Sequence, residues 1–173
     1  MRMSIRFTLL VLAAVALASG VAIHSASGAA TDGNHFEATF TETNASVTNH
    51  IADLGILQLI NTGTGTVEGY GPATSVIAVT QDRSVQPCGA GSWTNAGIRR
   101  IALEAGVLVF RTVAYVCQTA SGPTVSESWT VDGPASTGAF AGARGSGEGT
   151  VNLSAPVRVT TLSGKLKLAA DAG

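Results

Sequence analysis

The chain has 173 residues, of which 45% are hydrophobic, 12% charged and 21 in number glycine, with a formal net charge of −1. So few charges beside abundant Gly, Thr, Ser and Val suit an all-β protein better than a helical one. No stripe of Lys or Arg is present, so the composition lacks the electrostatic footprint of nucleic-acid binding or of a polybasic membrane-surface patch.

The N-terminus reads as a targeting segment. Arg2 and Arg6 precede the charge-free run FTLLVLAAVALASGVAI, from Phe7 to Ile23, and the small-residue tract SASGAA follows at 25–30. A basic start, an apolar middle and a small-residue exit are the signature of a secretory signal peptide over 1–30. The competing reading is an uncleaved anchor, because the run sits at the short limit for a spanning helix. No Cys lies nearby, so a lipid anchor is not expected. Cleavage near Ala29 or Ala30 leaves 31–173 as a single secreted domain. Loss of Arg2 and Arg6 takes Lys and Arg from 10 to 8 against 11 acidic residues, for a net charge near −3.

Beyond the leader no segment keeps a helical period; short alternating runs broken by Gly, Pro, Asn and Ser recur instead, which is the all-β pattern. HFEATFTETN begins the first strand, with Phe36, Ala38, Phe40, Glu42 and Asn44 on one face. Its start is apolar and its far end polar, so the strand is expected to reach solvent by Glu42. IADLGILQLI (51–60) is ambiguous between a short helix and a strand interrupted by Gly55. A turn is expected at TGTG (62–65), then strands at TVEGYG and TSVIAVTQDRS joined around Gly71 and Pro72, then a polar loop at 86–97. IRRIALEAGVLVFRTVAYVCQ (98–118) is the clearest hairpin, turning at Glu104-Ala105-Gly106. VSESWTVDG (125–133) alternates with Val125, Glu127, Trp129 and Val131 on one side. Strands at GTVNL and PVRVTTLSGKLKL close the chain.

That makes eight or nine short strands without crossover helices, hence largely antiparallel. Closure into an eight-stranded barrel would remove the sheet edges that an exported β protein must otherwise protect. Cys88 and Cys117 form an even count in an exported chain and are expected to pair, pinning the 86–97 loop to the hairpin. In the loop-entropy account such a staple contributes about 3.5 kcal/mol.

Candidate chemistry is sparse. STGAFAGARGSGEG (136–149) has a phosphate-cradle look, but no Lys follows its glycines and no helix follows the segment. It reads instead as a turn at Gly138, an inward Phe140, and glycines at 142 and 145 that permit bulges or close backbone approach. Arg144 becomes a strand-end or rim residue. No nucleophile elbow, zinc spacing or calcium loop occurs, so neither a metal nor a cofactor is expected. His35 and His50 read as surface residues. Trp93, Trp129, Tyr70 and Tyr115 are placed at the core or rim rather than in a pocket. Glu42 and Asn44 remain as candidate ligand-binding residues if their face turns into a barrel cavity, where a carboxyl would have its pKa raised.

WTVDGPASTGAFAGARGSGEG (129–149) resembles the late-strand motif of the dirigent and allene oxide cyclase-like barrels. GTGTVEGYG (63–71) and LSGKLKL (162–168) are similar to segments of secreted actinobacterial proteins with that barrel. The resemblance covers most of 36–168 and implies an eight-stranded antiparallel barrel with a central cavity. Allene oxide cyclases close a reactive epoxide inside the barrel with the help of an early-strand Glu-x-Asn, whose spacing Glu42-Thr43-Asn44 fits. Dirigent proteins steer radical coupling without doing the chemistry. Two functions are therefore expected: a non-catalytic exported barrel holding a small hydrophobic ligand or serving a surface role, or a cyclase-like or dirigent-like enzyme acting on a reactive hydrophobic intermediate.

Overall fold

The structure, a computed structural model, describes residues 35–153 and 157–169. The expected signal peptide at 1–30 lies outside the described residues, as do the side chains of Asn44 and Ala45. Eight strands follow one another: β1 (His35–Ile51), β2 (Ile56–Val67), β3 (Gly71–Asp82), β4 (Trp93–Leu103), β5 (Gly106–Thr119), β6 (Gly122–Val131), β7 (Arg144–Asn152) and β8 (Arg158–Lys167). Each pairs antiparallel with the next, and β8 pairs with β1 to close the barrel. Closure pairs β1 with β8 along His35–Glu42, which removes the open sheet edges over that part of the barrel; the rest of β1, to Ile51, pairs with β2 alone.

Three elements differ from the sequence reading. The TGTG segment is no turn; it lies within β2, a strand that runs unbroken from Ile56 to Val67 and turns at Glu68–Tyr70. Its glycines are there for proximity. A Cβ on Gly63 would stand 2.7 Å from Thr41 O, and one on Gly65 would stand 1.9 Å from Thr39 O. The ambiguous 51–60 stretch resolves into the end of β1, a 3-10 turn at Ala52–Leu54 and the start of β2, with Gly55 in the left-handed region at φ 66°. The polar loop is shorter than expected, because β4 already begins at Trp93. The hairpin at 98–118 forms as expected, with Leu103 opposite Gly106.

The two ends of the barrel differ. Between β6 and β7 the chain makes 3-10 turns at Gly133–Ala135 and Gly138–Phe140 and packs against the end where β1 starts. Phe140 and Ala143 are buried there with Phe36, Phe40, Phe110, Trp129 and Leu162. Trp129 stacks on Phe110 with ring centroids 4.5 Å apart, and its indole N–H donates to Glu148 O at 3.0 Å. Burying each such side chain stabilises the fold by roughly 1.5–3 kcal/mol. The plug is held backbone to backbone. Thr137 N donates to Val107 O at 2.8 Å and Ala139 N to Ala105 O at 2.9 Å. The glycine-rich segment thus seals one end of the barrel, with Phe140 inward and Arg144 exposed at the start of β7.

Cys88 and Cys117 are disulfide-bonded, with Cα atoms 5.5 Å apart. The bond ties the β3–β4 loop to β5 at the opposite end, where none of the described residues forms such a plug.

Candidate functional site

The interior of the barrel changes character along its axis. Above the aromatic core the inward positions become polar: Glu42 from β1, Ser75 from β3, Arg99 from β4 and Glu127 from β6 are all buried. Beyond them a cavity of about 480 Å³ opens toward the unplugged end. Its walls are aliphatic, with Leu59, Ile77, Val79, Val116, Val125 and Val151 among them, and Arg83 and Arg158 also line it. The volume lies within the range of small-molecule sites.

Arg99 organises the floor. Its guanidinium donates to Glu42 Oε1, to Ser75 Oγ at 3.0 Å, and to Glu127 Oε2 at 3.4 Å. Only 1% of the arginine side chain is exposed, against 3% and 4% for the two carboxylates, so all three charges are desolvated. A buried charge persists only where its partners are well placed. Small residues make the room. Gly63 stands between Glu42 and Ser75 in the strand register, and a Cβ there would lie 2.8 Å from Glu42 Cγ. Gly149 lies opposite Glu127.

Burial pushes the Glu127 carboxyl above its ordinary value; the charge and hydrogen bond of Arg99 oppose the rise, and the charge of Glu42 adds to it. Glu127 Oε1 and Arg99 Nε are buried without hydrogen-bond partners. A carboxyl held in this way can accept or release a proton within an apolar chamber.

Glu42 does not reach solvent, as the sequence suggested; it is 2% exposed and forms part of the cavity lining. Its strand carries Phe36, Ala38, Phe40 and Glu42 inward and passes through a register shift between Thr43 and Ser46; Ser46, Thr48 and His50 beyond it are exposed. Asn44 belongs to β1, and its side chain is outside the described residues. Sequence reasoning placed Glu127 on the face of Trp129 but assigned it no role, and it missed Arg99, Ser75 and Arg158 entirely.

The remaining candidates sit elsewhere. His35 and His50 are exposed. His35 Nε2 lies 3.3 Å from Glu37 and 3.9 Å from Glu68, a surface cluster whose ligand-type atoms fall within 4.8 Å of one another. Trp129 is core, while Tyr70 packs its ring 5.2 Å from that of Phe140. Trp93 carries the guanidinium of Arg83 5.4 Å above its ring, and Tyr115 is exposed on the outer face. Among the described residues no helix is long and apolar enough to cross a membrane. Compared with models of protein families, with curated proteins and with solved structures, the chain matches none.

Proposed function

We propose that the protein is an exported barrel that binds one small, mostly apolar molecule in the chamber above Arg99. The observation that carries this reading is the half-filled interior. One end of the barrel is packed with aromatic rings, while the other keeps about 480 Å³ open behind aliphatic walls. A purely structural barrel of this size would fill both halves with side chains. The Cys88–Cys117 bond at the open end suits an oxidising, extracellular setting. The outer face carries exposed Thr39, Thr41, Ser126, Ser128, Thr161 and Ser163. These hydroxyl rows on β1, β6 and β8 interrupt the continuous apolar outer band that a membrane-spanning barrel needs, so no membrane partner is proposed, and no nucleic-acid partner either.

The test is a titration with the neutral apolar fluorophore N-phenyl-1-naphthylamine against the wild type and Val79→Trp, which fills the chamber from its wall. Saturable one-to-one binding that disappears in a folded Val79→Trp variant is expected. Absence of saturable binding, or binding undiminished by the tryptophan, would refute the reading.

A second reading is favoured by Glu127, whose raised carboxyl has one oxygen free of hydrogen bonds. The same chamber would then hold a reactive hydrophobic intermediate while Glu127 moves a proton, in keeping with the resemblance to cyclase-like and dirigent-like barrels. Turnover of such an intermediate that is lost in Glu127→Gln, with binding retained, distinguishes it from simple carriage.

A further inference from the structure

The chamber contains two open hydrogen-bonding atoms on one line. Glu127 Oε1 and Asn95 Oδ1 are buried without partners, and both residues line the cavity. The barrel register relates them. Asn95 pairs with Ala114 across β4 and β5, and Ala114 pairs with Glu127 across β5 and β6. Three neighbouring inward positions therefore read Asn–Ala–Glu. With strands about 4.8 Å apart, the outer two Cα atoms stand about 10 Å from each other. Ala114 contributes only a methyl between them. The result is a notch with an apolar base and an unpaired oxygen on each flank, and a buried acceptor left unpaired is costly.

The charges around the notch restrict what it takes. The two terminal nitrogens of Arg99 are already engaged by Glu42, Glu127 and Ser75 and only its Nε is open, so an anionic head would meet two carboxyls against a single free N–H. A cationic head would share the chamber with Arg83, Arg99 and Arg158. A hydroxyl carries no charge and both donates and accepts. With Glu127 protonated at Oε1, the hydroxyl accepts from that carboxyl and donates to Asn95 Oδ1, satisfying both atoms at once; with Glu127 ionised, it donates to Oε1. The walls beyond the notch are aliphatic.

Resting on the binding reading above, we propose that the ligand is a neutral, elongated apolar molecule ending in one hydroxyl, an alcohol or phenol. It seats that hydroxyl over Ala114 between Asn95 and Glu127. At the packing density of protein interiors the chamber holds up to about twenty non-hydrogen atoms, enough for one ring and a short chain. Asn95 and Glu127 are then specificity-determining residues, and Arg99 positions Glu127 by holding its other oxygen.

The experiment is displacement of N-phenyl-1-naphthylamine from the disulfide-bonded protein by three competitors of one shape: 4-hexylphenol, hexylbenzene and 4-hexylbenzoate. The phenol is expected to displace the probe at a free concentration at least about fivefold below either of the others. Glu127→Leu is expected to bring the phenol to the level of hexylbenzene measured in the same variant. Ala114→Val fills the notch without touching a charge and should do the same, so the test survives if Glu127→Leu does not fold. The proposal is overturned if the phenol gains less than fivefold over hexylbenzene, since water would then serve the notch as well. It is equally overturned if the benzoate binds best, its head drawn to Arg83 or Arg158, or if the phenol keeps its advantage in a folded variant. Hexylbenzene binding without preference for the phenol defeats the hydroxyl alone. Failure of the probe and of all three competitors defeats cavity binding itself, and this inference with it.

Discussion

Replacing Arg99 by Met tests whether the floor cluster is an interdependent unit. The substitution keeps much of the side-chain volume but removes the guanidinium that contacts Glu42, Glu127 and Ser75. Glu127 can shed its charge by taking up a proton, which burial already favours. Glu42, 2% exposed, is left desolvated without the cation it contacts. Removing one partner of a buried ion pair costs about 3–5 kcal/mol. For a domain of this size, at roughly 3–5 °C per kcal/mol, the melting temperature should fall by about 10–25 °C. Urea unfolding at pH 7, followed through the fluorescence of buried Trp129, measures the loss. The triple variant Arg99→Met, Glu42→Gln, Glu127→Gln removes all three charges and should regain most of it, because desolvated charges and not lost packing are the source of the cost. A single variant within about 1 kcal/mol of the wild type would refute the reasoning, as would a triple variant no more stable than the single one.

The other expected outcomes concern proton binding, backbone proximity and the crosslink. Glu127 binds its proton more tightly folded than unfolded, its ordinary value being 4.5. The stability this group contributes is complete below that value and is lost as pH rises through the higher folded value. Glu127→Gln should therefore gain stability relative to the wild type as pH is raised from 4 to 8, as read by urea midpoints; a constant difference across that range contradicts the assignment. Gly147→Ala should cost at least about 2 kcal/mol in the same assay, since its Cβ would lie 2.1 Å from Ser163 O and 2.4 Å from Trp129 Cζ2. Replacing both Cys88 and Cys117 by Ser should lower stability by about 3.5 kcal/mol, and dithiothreitol should then have no further effect.

Strand alternation explains what the sequence made legible. In VSESWTVDG the small hydroxyl residues Ser126, Ser128 and Thr130 occupy every second position, so Glu127 and Trp129 fall on the other face whatever the partner strands do. IRRIAL offers no such parity, because Ile98, Arg100 and Ala102 make as plausible an inner face as Arg99, Ile101 and Leu103. The structure selects the second set and leaves Ile98 46% exposed. The choice depends on two carboxylates from β1 and β6, far away in the chain, and no local pattern encodes that meeting. Glu42 looked solvent-bound because the alternate positions after it, Asn44, Ser46, Thr48 and His50, are all polar; the register shift between Thr43 and Ser46 has no clear signature in ETNASV. TGTG looked like a turn because glycine most often signals one. Here Gly63 and Gly65 allow β1 and β2 to approach closely, a property of the neighbouring strand. Phe140 and the pairing of Cys88 with Cys117 were accessible because both rest on composition and on chemistry that does not require register.

The meander that closes β8 onto β1 also fixes where the barrel's two chain ends emerge. His35 lies opposite Lys165, and β8 finishes at Lys167, so the first strand begins and the last strand finishes side by side at the plugged pole. The mouth is at the other pole. The described barrel thus keeps the start of its first strand and the finish of its last at one pole and its chamber at the other, so a segment bridging His35 and Lys167 would leave the rim untouched.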